Sequence, residues 1–321
     1  MHNGGSSDTR YSPSAPTTVQ ISVPLGLKIC RLTPPESTIF DALAWYESSS
    51  SAGLDIIRSY KKRMIYLFKQ RWMVCLKVTP LKGFPALVAR TRDGRLFLVI
   101  SDLHIGMTAW MGLRRPSPEE EAKDVLERVV LACHQADAHN IIVLGDLKHR
   151  IFEPTMHERK ALRSLTEGLA EDFEVWVMKG NHDYGIEECL DARVRIVGKG
   201  GLEIEKTVFM HGHSLPRLAE SPESYDMMVC GHVHPQWIVN GEWSPVWLTL
   251  KGHGVKPAKV IMLPHFSRYA SRAGYRPGPP STVAPFLKRL RIGRYGYEVR
   301  DLQLKKVASG KASEIIASGK E

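Results

Sequence analysis

The chain has 321 residues, 43% of them hydrophobic and 24% charged, a composition that predicts a globular body with a sizeable core. Its formal net charge is +10, and the positive charge lies in the two flanking segments: residues 1–83 carry +6 and residues 266–321 carry +8, whereas residues 84–265 carry −4. The sequence has no apolar run long enough for a membrane span, no secretory signal and an odd number of cysteines, five, so we expect a cytoplasmic protein without a disulfide framework.

The N-terminal part of the chain divides into two predicted regions. Residues 1–38 begin with a stretch rich in Ser, Thr, Gly and Pro and are predicted to be disordered. Residues 39–83 form a basic extension that is partly helical, since apolar residues recur at helical spacing over 54–68 around three consecutive basic residues, 61–63. Such a helix either packs one face on the body with its charges in solvent, or binds nucleic acid or a membrane surface.

From residue 84 onward, strands alternate with helices, and this alternation predicts an α/β body over residues 84–304. Its motifs lie in residues 84–265, and residues 305–321 are expected to be a frayed tail. The predicted strands are residues 86–91, 96–101, 141–144, 175–178, 207–210 and 227–230, with a closing strand near 297–304.

Two helices have clear start signals. Ser117 is a predicted N-cap, Pro118 suits the first helical position, and Glu120 completes a capping box. Thr155, with Glu158 three residues later, predicts the start of the second helix.

Side chains that bind metals follow five of the predicted strands. Because the carboxyl ends of parallel strands meet at one edge of a sheet, these side chains can converge although they span more than a hundred residues. Aspartate and histidine suit manganese, iron or zinc, and the missing thiolates argue against a structural cysteine-rich zinc site. The clusters are Asp102 and His104, Asp146 and His149, Asn181 to Asp183, His211 and His213, and His232 and His234.

One such pair is a weak signal, but five in order at strand ends are a specific one. As a set they resemble the signature of the calcineurin-like metallophosphoesterases, and the resemblance covers about residues 84–265. It implies a four-layer α/β/β/α sandwich with two divalent metal ions, most simply manganese, with iron or zinc as alternatives. It assigns Asp102, His104 and His234 to the first metal, Asn181, His211 and His232 to the second, Asp146 to both, and the catalytic role to His182.

The chemistry implied by this resemblance is hydrolysis of a phosphate ester. A hydroxide that bridges two metal ions is a nucleophile at neutral pH and can attack phosphorus in line with the leaving group. The metals neutralise charge on the phosphoryl oxygens, and His182 can protonate the departing alkoxide.

The residue three positions after Asp146 departs from the pattern of many family members, which have an acidic residue there. Here it is His149, in the sequence Gly-Asp-Leu-Lys-His. This form resembles SbcD-type DNA exonucleases and archaeal SbcD-related or ligase-associated phosphoesterases. His149 would contact the phosphate, orient His182, or simply fill space behind the ligands.

Four further residues are candidates for contact with the substrate or for support of the ligands. His213 either touches the phosphate or lies behind the ligands, and Asp183 follows the catalytic histidine directly. Arg114 and Arg115, in the loop after His104, either reach a substrate phosphate or are ordinary surface residues.

Three hypotheses for function follow. The first is a metal-dependent phosphoesterase acting on a small phosphodiester or phosphomonoester. The second is an SbcD-like nuclease, favoured by the basic flanks and by the interleaved aromatic and basic residues of 266–295, which either bind nucleic acid or form a loop and a closing strand with charges in solvent. The third, a non-catalytic scaffold, should have lost ligands, and every ligand position is intact. Oligomeric state is left open.

Overall fold

The computed structural model describes residues 76–198, 201–214, 221–270 and 285–316. The chain divides into two compact units, Met1–Tyr66 and Leu67–Glu321, and all described residues belong to the second. The predicted disorder of residues 1–38 and the predicted basic helix over 54–68 lie outside the described residues.

A six-stranded sheet forms the first half of the described body, with strands in sequence order. The first three strands are antiparallel, and the predicted strands at 86–91 and 96–101 pair as a hairpin. The last four are parallel, so their carboxyl ends share one edge. The strands are β1 (Lys77–Pro80), β2 (Leu87–Arg90), β3 (Leu96–Ile100), β4 (Asn140–Val143), β5 (Glu174–Met178) and β6 (Arg195–Val197).

Two long helices connect the parallel strands, preceded by the one-turn helix α1 (Met107–Trp110). Both begin with the predicted capping boxes, because the side chain of Ser117 accepts from the amide of Glu120 and that of Thr155 from the amide of Glu158. The long helices are α2 (Pro118–Ala136) and α3 (Met156–Asp172).

A second sheet, seven-stranded within the described residues, carries the rest of the motifs. Its central strands β8, β9 and β13 are parallel, and the outer ones are antiparallel. A separate hairpin, β10 with β11, follows the last motif. The strands are β7 (Leu202–Ile204), β8 (Thr207–Met210), β9 (Met227–Cys230), β10 (Gln236–Val239), β11 (Glu242–Pro245), β12 (Trp247–Gly252), β13 (Lys259–Met262), β14 (Tyr295–Arg300) and β15 (Lys306–Lys311).

The two sheets stack face to face, as the alternation of buried side chains along β3 shows. Leu98 and Ile100 pack toward α2 and α3, whereas Phe97 and Val99 pack against the second sheet. The outer face of the second sheet is covered by the hairpin, by 3₁₀ turns at Pro285–Arg289 and Ile292–Arg294, and by the short helix α4 (Ala312–Ile316). The described residues thus form the α/β fold of four layers, α/β/β/α, that the sequence predicts.

Both ends of this body extend beyond the predicted boundaries of 84 and 304. Strand β1 precedes residue 84, and Val78 is buried between the sheets. At the other end, β15 pairs with β14, and Ala312 of α4 is buried, where a frayed tail was predicted. Such edge elements are short and mostly exposed, so backbone pairing stabilises them without leaving a hydrophobic period in the sequence.

Candidate metal centre

Two loops at the carboxyl edge of the first sheet are joined by backbone hydrogen bonds. The amide of His104 donates to the carbonyl of Asp146 at 2.9 Å, and that of Ile105 to the carbonyl of Leu147 at 2.8 Å. In return, the amide of His149 donates to the carbonyl of Ile105 at 2.9 Å. These bonds fix the first two predicted clusters relative to one another.

Five candidate ligands occupy the left-handed backbone region, which side chains other than Gly, Asn and Asp seldom adopt. This conformation turns the chain sharply at the strand ends and aims the side chains inward. Strain of this kind is concentrated at functional sites, where the surrounding structure enforces it. The φ values are 59° for Asp102, 48° for His104, 54° for Asp146, 63° for His232 and 45° for His234.

Asp102, His104 and His234 form a buried group whose potential ligand atoms all lie within 4.8 Å of one another. Nε2 of His234 lies 3.0 Å from Oδ1 of Asp102 and 3.3 Å from Nε2 of His104. Two nitrogens bound to one tetrahedral ion at about 2.0–2.1 Å lie about 3.4 Å apart, so this spacing suits a shared ion. The group is the predicted ligand set of the first metal.

Asp146, His211 and His232 form a second group of the same kind. Oδ2 of Asp146 lies 3.3 Å from Nε2 of His211, and Oδ1 of Asn181 lies 3.2 Å from the same nitrogen. Nδ1 of His211 faces the carbonyl oxygen of Leu144 at 2.6 Å, which directs the proton to Nδ1 and leaves Nε2 free to bind an ion. These are the residues predicted for the second metal.

Two glycines permit the close approach of these loops. A Cβ on Gly180 would lie 2.1 Å from Oδ1 of Asp146, and one on Gly231 would lie 1.7 Å from Oγ of Ser101. Any side chain at either position would displace a residue of the centre.

The buried carboxylates and imidazoles set each other's charge. Burial works against ionisation of Asp102, but the neighbouring His234 outweighs it and holds the pKa of Asp102 below its ordinary value; His211 does the same for the pKa of Asp146. Burial also works against protonation of His211, yet Asp146 raises the pKa of His211 to about 9. The carboxylates are therefore anionic, and a bound cation would take the place of the proton on His211.

His182 and His149 lie side by side at the edge of the two groups. Nδ1 of His182 faces the carbonyl oxygen of His149, and the two rings stack with centroids 5.5 Å apart. A backbone carbonyl, rather than a side chain, therefore faces Nδ1 of His182. Burial, reinforced by His182, lowers the pKa of His149 to about 4, so its ring is neutral at pH 7.

Asp183 lies beneath the centre rather than in it. Its fully buried carboxylate accepts hydrogen bonds from the backbone amides of Asp146 at 2.7 Å, Leu147 at 2.8 Å and Gly180 at 2.8 Å. It therefore joins the loop after β4 to the loop after β5. Burial, together with the negative charge of Asp146, raises the pKa of Asp183 to about 6.

Sequence reasoning missed two residues near the centre. Lys148 is fully buried, and its ammonium donates to the carbonyls of Arg150, Phe152 and His182. No sequence signal marks it. His265 is buried with its ring 5.5 Å from that of His234, and here a signal existed, because His265 follows β13 as the predicted ligands follow their strands.

The remaining candidates lie at different distances from the centre. The ring of His213 lies 5.2 Å from that of His211. Arg114 and Arg115 are exposed, and Arg115 forms an ion pair with Glu120 at the start of α2. The structure brings His213 to the ligands, but it places Arg115 at a helix terminus.

Three of the described aromatic residues of the C-terminal flank, Phe266, Phe286 and Tyr295, lie in the core. Phe266 and Phe286 are buried, so neither can stack on a base. The guanidinium of Arg268 lies 3.4 Å from the carboxylate of Asp124. Arg272 and Arg276 lie outside the described residues. For the described residues of this flank, the interpretation as a loop and a closing strand fits the structure better than the interpretation as a nucleic-acid-binding segment.

Comparison with known proteins identifies the domain. Residues 96–247 match the family model of the calcineurin-like phosphoesterase superfamily domain. Two solved structures are similar. The Pseudomonas putida nuclease MPE is 19% identical, with 60% of this chain and 89% of that chain covered and a TM-score of 0.41. YfcE, a phosphoesterase from E. coli, is 16% identical, with 67% of this chain and 98% of that chain covered and a TM-score of 0.31.

The family-model match agrees with the His and Asp groups, which suit a divalent metal. It also confirms the predicted enzyme class, a hydrolase acting on phosphate esters. Among the described residues, no helix has the length and apolar character needed to cross a membrane. The strand-end motifs, the fold and the family-model match together show that residues 96–247 form a calcineurin-like phosphoesterase superfamily domain.

Proposed function

We propose that this chain hydrolyses a phosphodiester or phosphomonoester at a centre of two divalent ions, with His182 as the proton donor to the leaving group. The observation that carries the proposal is the position of Asp146. Its Oδ2 lies 3.3 Å from Nε2 of His211, 3.9 Å from Nε2 of His104 and 3.9 Å from Nε2 of His182. One carboxylate thus touches both ligand groups and the candidate acid.

Bound divalent ions would supply an activated water and neutralise the phosphate charge. The chain's own residues would hold the ions and protonate the leaving group. Because Nδ1 of His182 faces the carbonyl oxygen of His149, the proton available for transfer is on Nε2, on the side of Asp146. His182 is half-buried, so a substrate can reach it.

The test compares leaving groups in a His182→Ala variant. On an alkyl phosphate ester, which needs protonation of the departing oxygen, we expect kcat to fall about 10²–10⁴-fold. On a p-nitrophenyl ester, whose leaving group needs little protonation, the fall should be much smaller. His157→Ala is the matched control, because His157 is exposed on α3 and pairs with Glu119 away from the centre.

Metal content, measured on the same preparations, should equal that of the unchanged chain. Full retention of alkyl-ester hydrolysis by His182→Ala would remove its role as proton donor. If the manganese-loaded protein hydrolysed neither diesters nor monoesters, the enzymatic proposal itself would fail. Reconstitution with manganese, iron and zinc in parallel decides which ion supports turnover.

A further inference from the structure

Exposed aromatic side chains border the candidate centre on the side of His182. Trp110, at the end of α1, is 57% exposed, and its ring lies 6.0 Å edge-on from that of His149. The ring of His149 in turn stacks on that of His182. Phe152 and Tyr184, in the loops that carry these two histidines, are also exposed. Large apolar rings left in solvent beside a catalytic site indicate a ligand surface.

Arg150 adds a positive charge to this surface. Its guanidinium carbon lies 5.8 Å from the centre of the Trp110 ring. Its Nε is buried and has no hydrogen-bond partner among the described residues. A buried donor without a partner is costly, and a ligand that accepts from it would recover that cost. The guanidinium of Arg150 and the ring of Trp110 are therefore adjacent, and Nε of Arg150 has no hydrogen-bond acceptor among the described residues.

Trp110 is also held in place before any ligand arrives. The buried carboxylate of Glu121 accepts from the amides of Gly106 at 2.6 Å and Thr108 at 2.9 Å, which anchors α1 to α2. The hydroxyl of Thr108, which donates to Glu121, also lies 2.6 Å from the carbonyl oxygen of Pro116. A ring on a fixed turn loses little entropy on binding, which favours stacking.

We infer that Trp110 and Arg150 bind an unpaired nucleotide on the leaving-group side of the scissile phosphodiester, the base stacked on Trp110 and a neighbouring phosphate on Arg150. This inference rests on the proposed function, since His182 defines the leaving-group side. Alternating bases and phosphates match an indole beside a guanidinium. A base within a duplex is already stacked on both faces, so the surface selects single strands.

Hydrolysis provides the first test. The substrates are a dinucleoside monophosphate, its analogues lacking each base in turn, and a base-free alkyl diester. Trp110→Ala should lower kcat/KM on the dinucleoside about 5–150-fold, the range of one base–aromatic stack, mainly through KM. The rate on the base-free diester should change little, because that substrate has no base to stack on Trp110. Trp110→Phe should recover most of the loss.

Trp243→Ala is the matched control. Trp243 is also 57% exposed, but it lies on the hairpin β10–β11, and its loss should leave every substrate unaffected. An equal fall on the base-free diester would show that Trp110 supports the centre rather than a base. No fall on the dinucleoside would also overturn the inference, while hydrolysis of the base-free diester would leave the proposed function standing.

Binding provides a second test that does not depend on turnover. With metal removed by chelation, a fluorescent single-stranded oligothymidylate should bind Trp110→Ala about 5–150-fold more weakly than the unchanged chain. Arg150→Gln should reduce the salt dependence of binding by about one released counterion. Equal affinity for the strand and its duplex, or a loss seen with a tyrosine phosphopeptide and not with the strand, would show that the surface serves another ligand.

Discussion

Lys148 shows how a single buried residue can position the candidate acid. Its ammonium donates to three carbonyls, and these belong to the loop of Phe152 and to His182 itself. Burying an ammonium requires such acceptors, because the charge has lost its hydration. Without Lys148, in turn, the three carbonyls would lose this donor.

We therefore expect Lys148→Met to lower stability by about 2–4 kcal/mol and kcat by at least about ten-fold, as His182 loses its fixed position. Urea unfolding and steady-state kinetics measure the two effects. Lys160→Met, at an exposed position of α3, is the control and should change neither.

A purely structural role for Lys148 predicts additive losses with His182→Ala. If Lys148 acts through His182, adding Lys148→Met to His182→Ala should cost little further activity, while the loss of stability remains in full. A full additional loss of kcat in the double variant would refute the positioning role.

At this scale the sequence predicts which side chains gather at the candidate centre, but not which residues support them. The positions of Asp102 and His234 could be predicted because aspartate and histidine in the loop after a strand suit metals. Lys148 could not, since a lysine is usually exposed and the carbonyls that satisfy it come from the tertiary fold. The backbone carbonyl that orients His182 is likewise invisible in a sequence.

At the scale of elements, α1 and α2 act as one unit through Glu121. The carboxylate of Glu121, buried in the first turns of α2, accepts from two amides at the start of α1 and from the hydroxyl of Thr108. Burial raises the pKa of Glu121, although the hydrogen bond from Thr108 opposes the shift. The contact sets the path of the loop that follows His104.

Replacing Glu121 with alanine should leave these amides without an acceptor and lower the free energy of unfolding by about 2–4 kcal/mol. The measurement is chemical denaturation with metal present. Glu127→Ala, at an exposed position of the same helix, is the control for helix propensity and should have little effect. A loss for Glu121→Ala no larger than that of the control would show that the amides find water instead.

The sequence predicts the boundary of an element only where a strong local sequence signal marks it. The starts of α2 and α3 were predictable because capping boxes are written in the sequence, as Ser117 with Glu120 and Thr155 with Glu158. Strands β1 and β15 were not, because each is an edge strand stabilised by pairing with one neighbour. Sequence periodicity identifies buried faces, and these edge strands bury only a small part of their surface.

At the scale of the whole molecule, the two sheets contribute to one centre. Asp102, His104 and Asp146 come from the first sheet, and His211, His232 and His234 from the second. The amide of His232 donates to the carboxylate of Asp102 at 3.0 Å, which joins the two edges directly. An ion bound between the sheets should therefore hold the two halves together.

Metal removal tests this coupling. An ion that binds only the native state at 100 times its Kd stabilises it by about 2.7 kcal/mol, and unfolding of the ligand set releases it. For a domain of this size such a loss corresponds to about 5–10 °C in Tm. We expect chelation to lower Tm by at least that amount and to abolish hydrolysis, and manganese to restore both.

Asp146→Asn identifies the source of the effect, because Asp146 is the carboxylate that both ligand groups touch. Elemental analysis should find two ions per chain before the substitution and fewer after it, and chelation should then shift Tm less. Asp172→Asn, at an exposed position of α3, is the control and should behave like the unchanged chain. If Asp146→Asn kept two ions and the full chelation shift, the ions would bind elsewhere, and the centre described here would not be the one that joins the sheets.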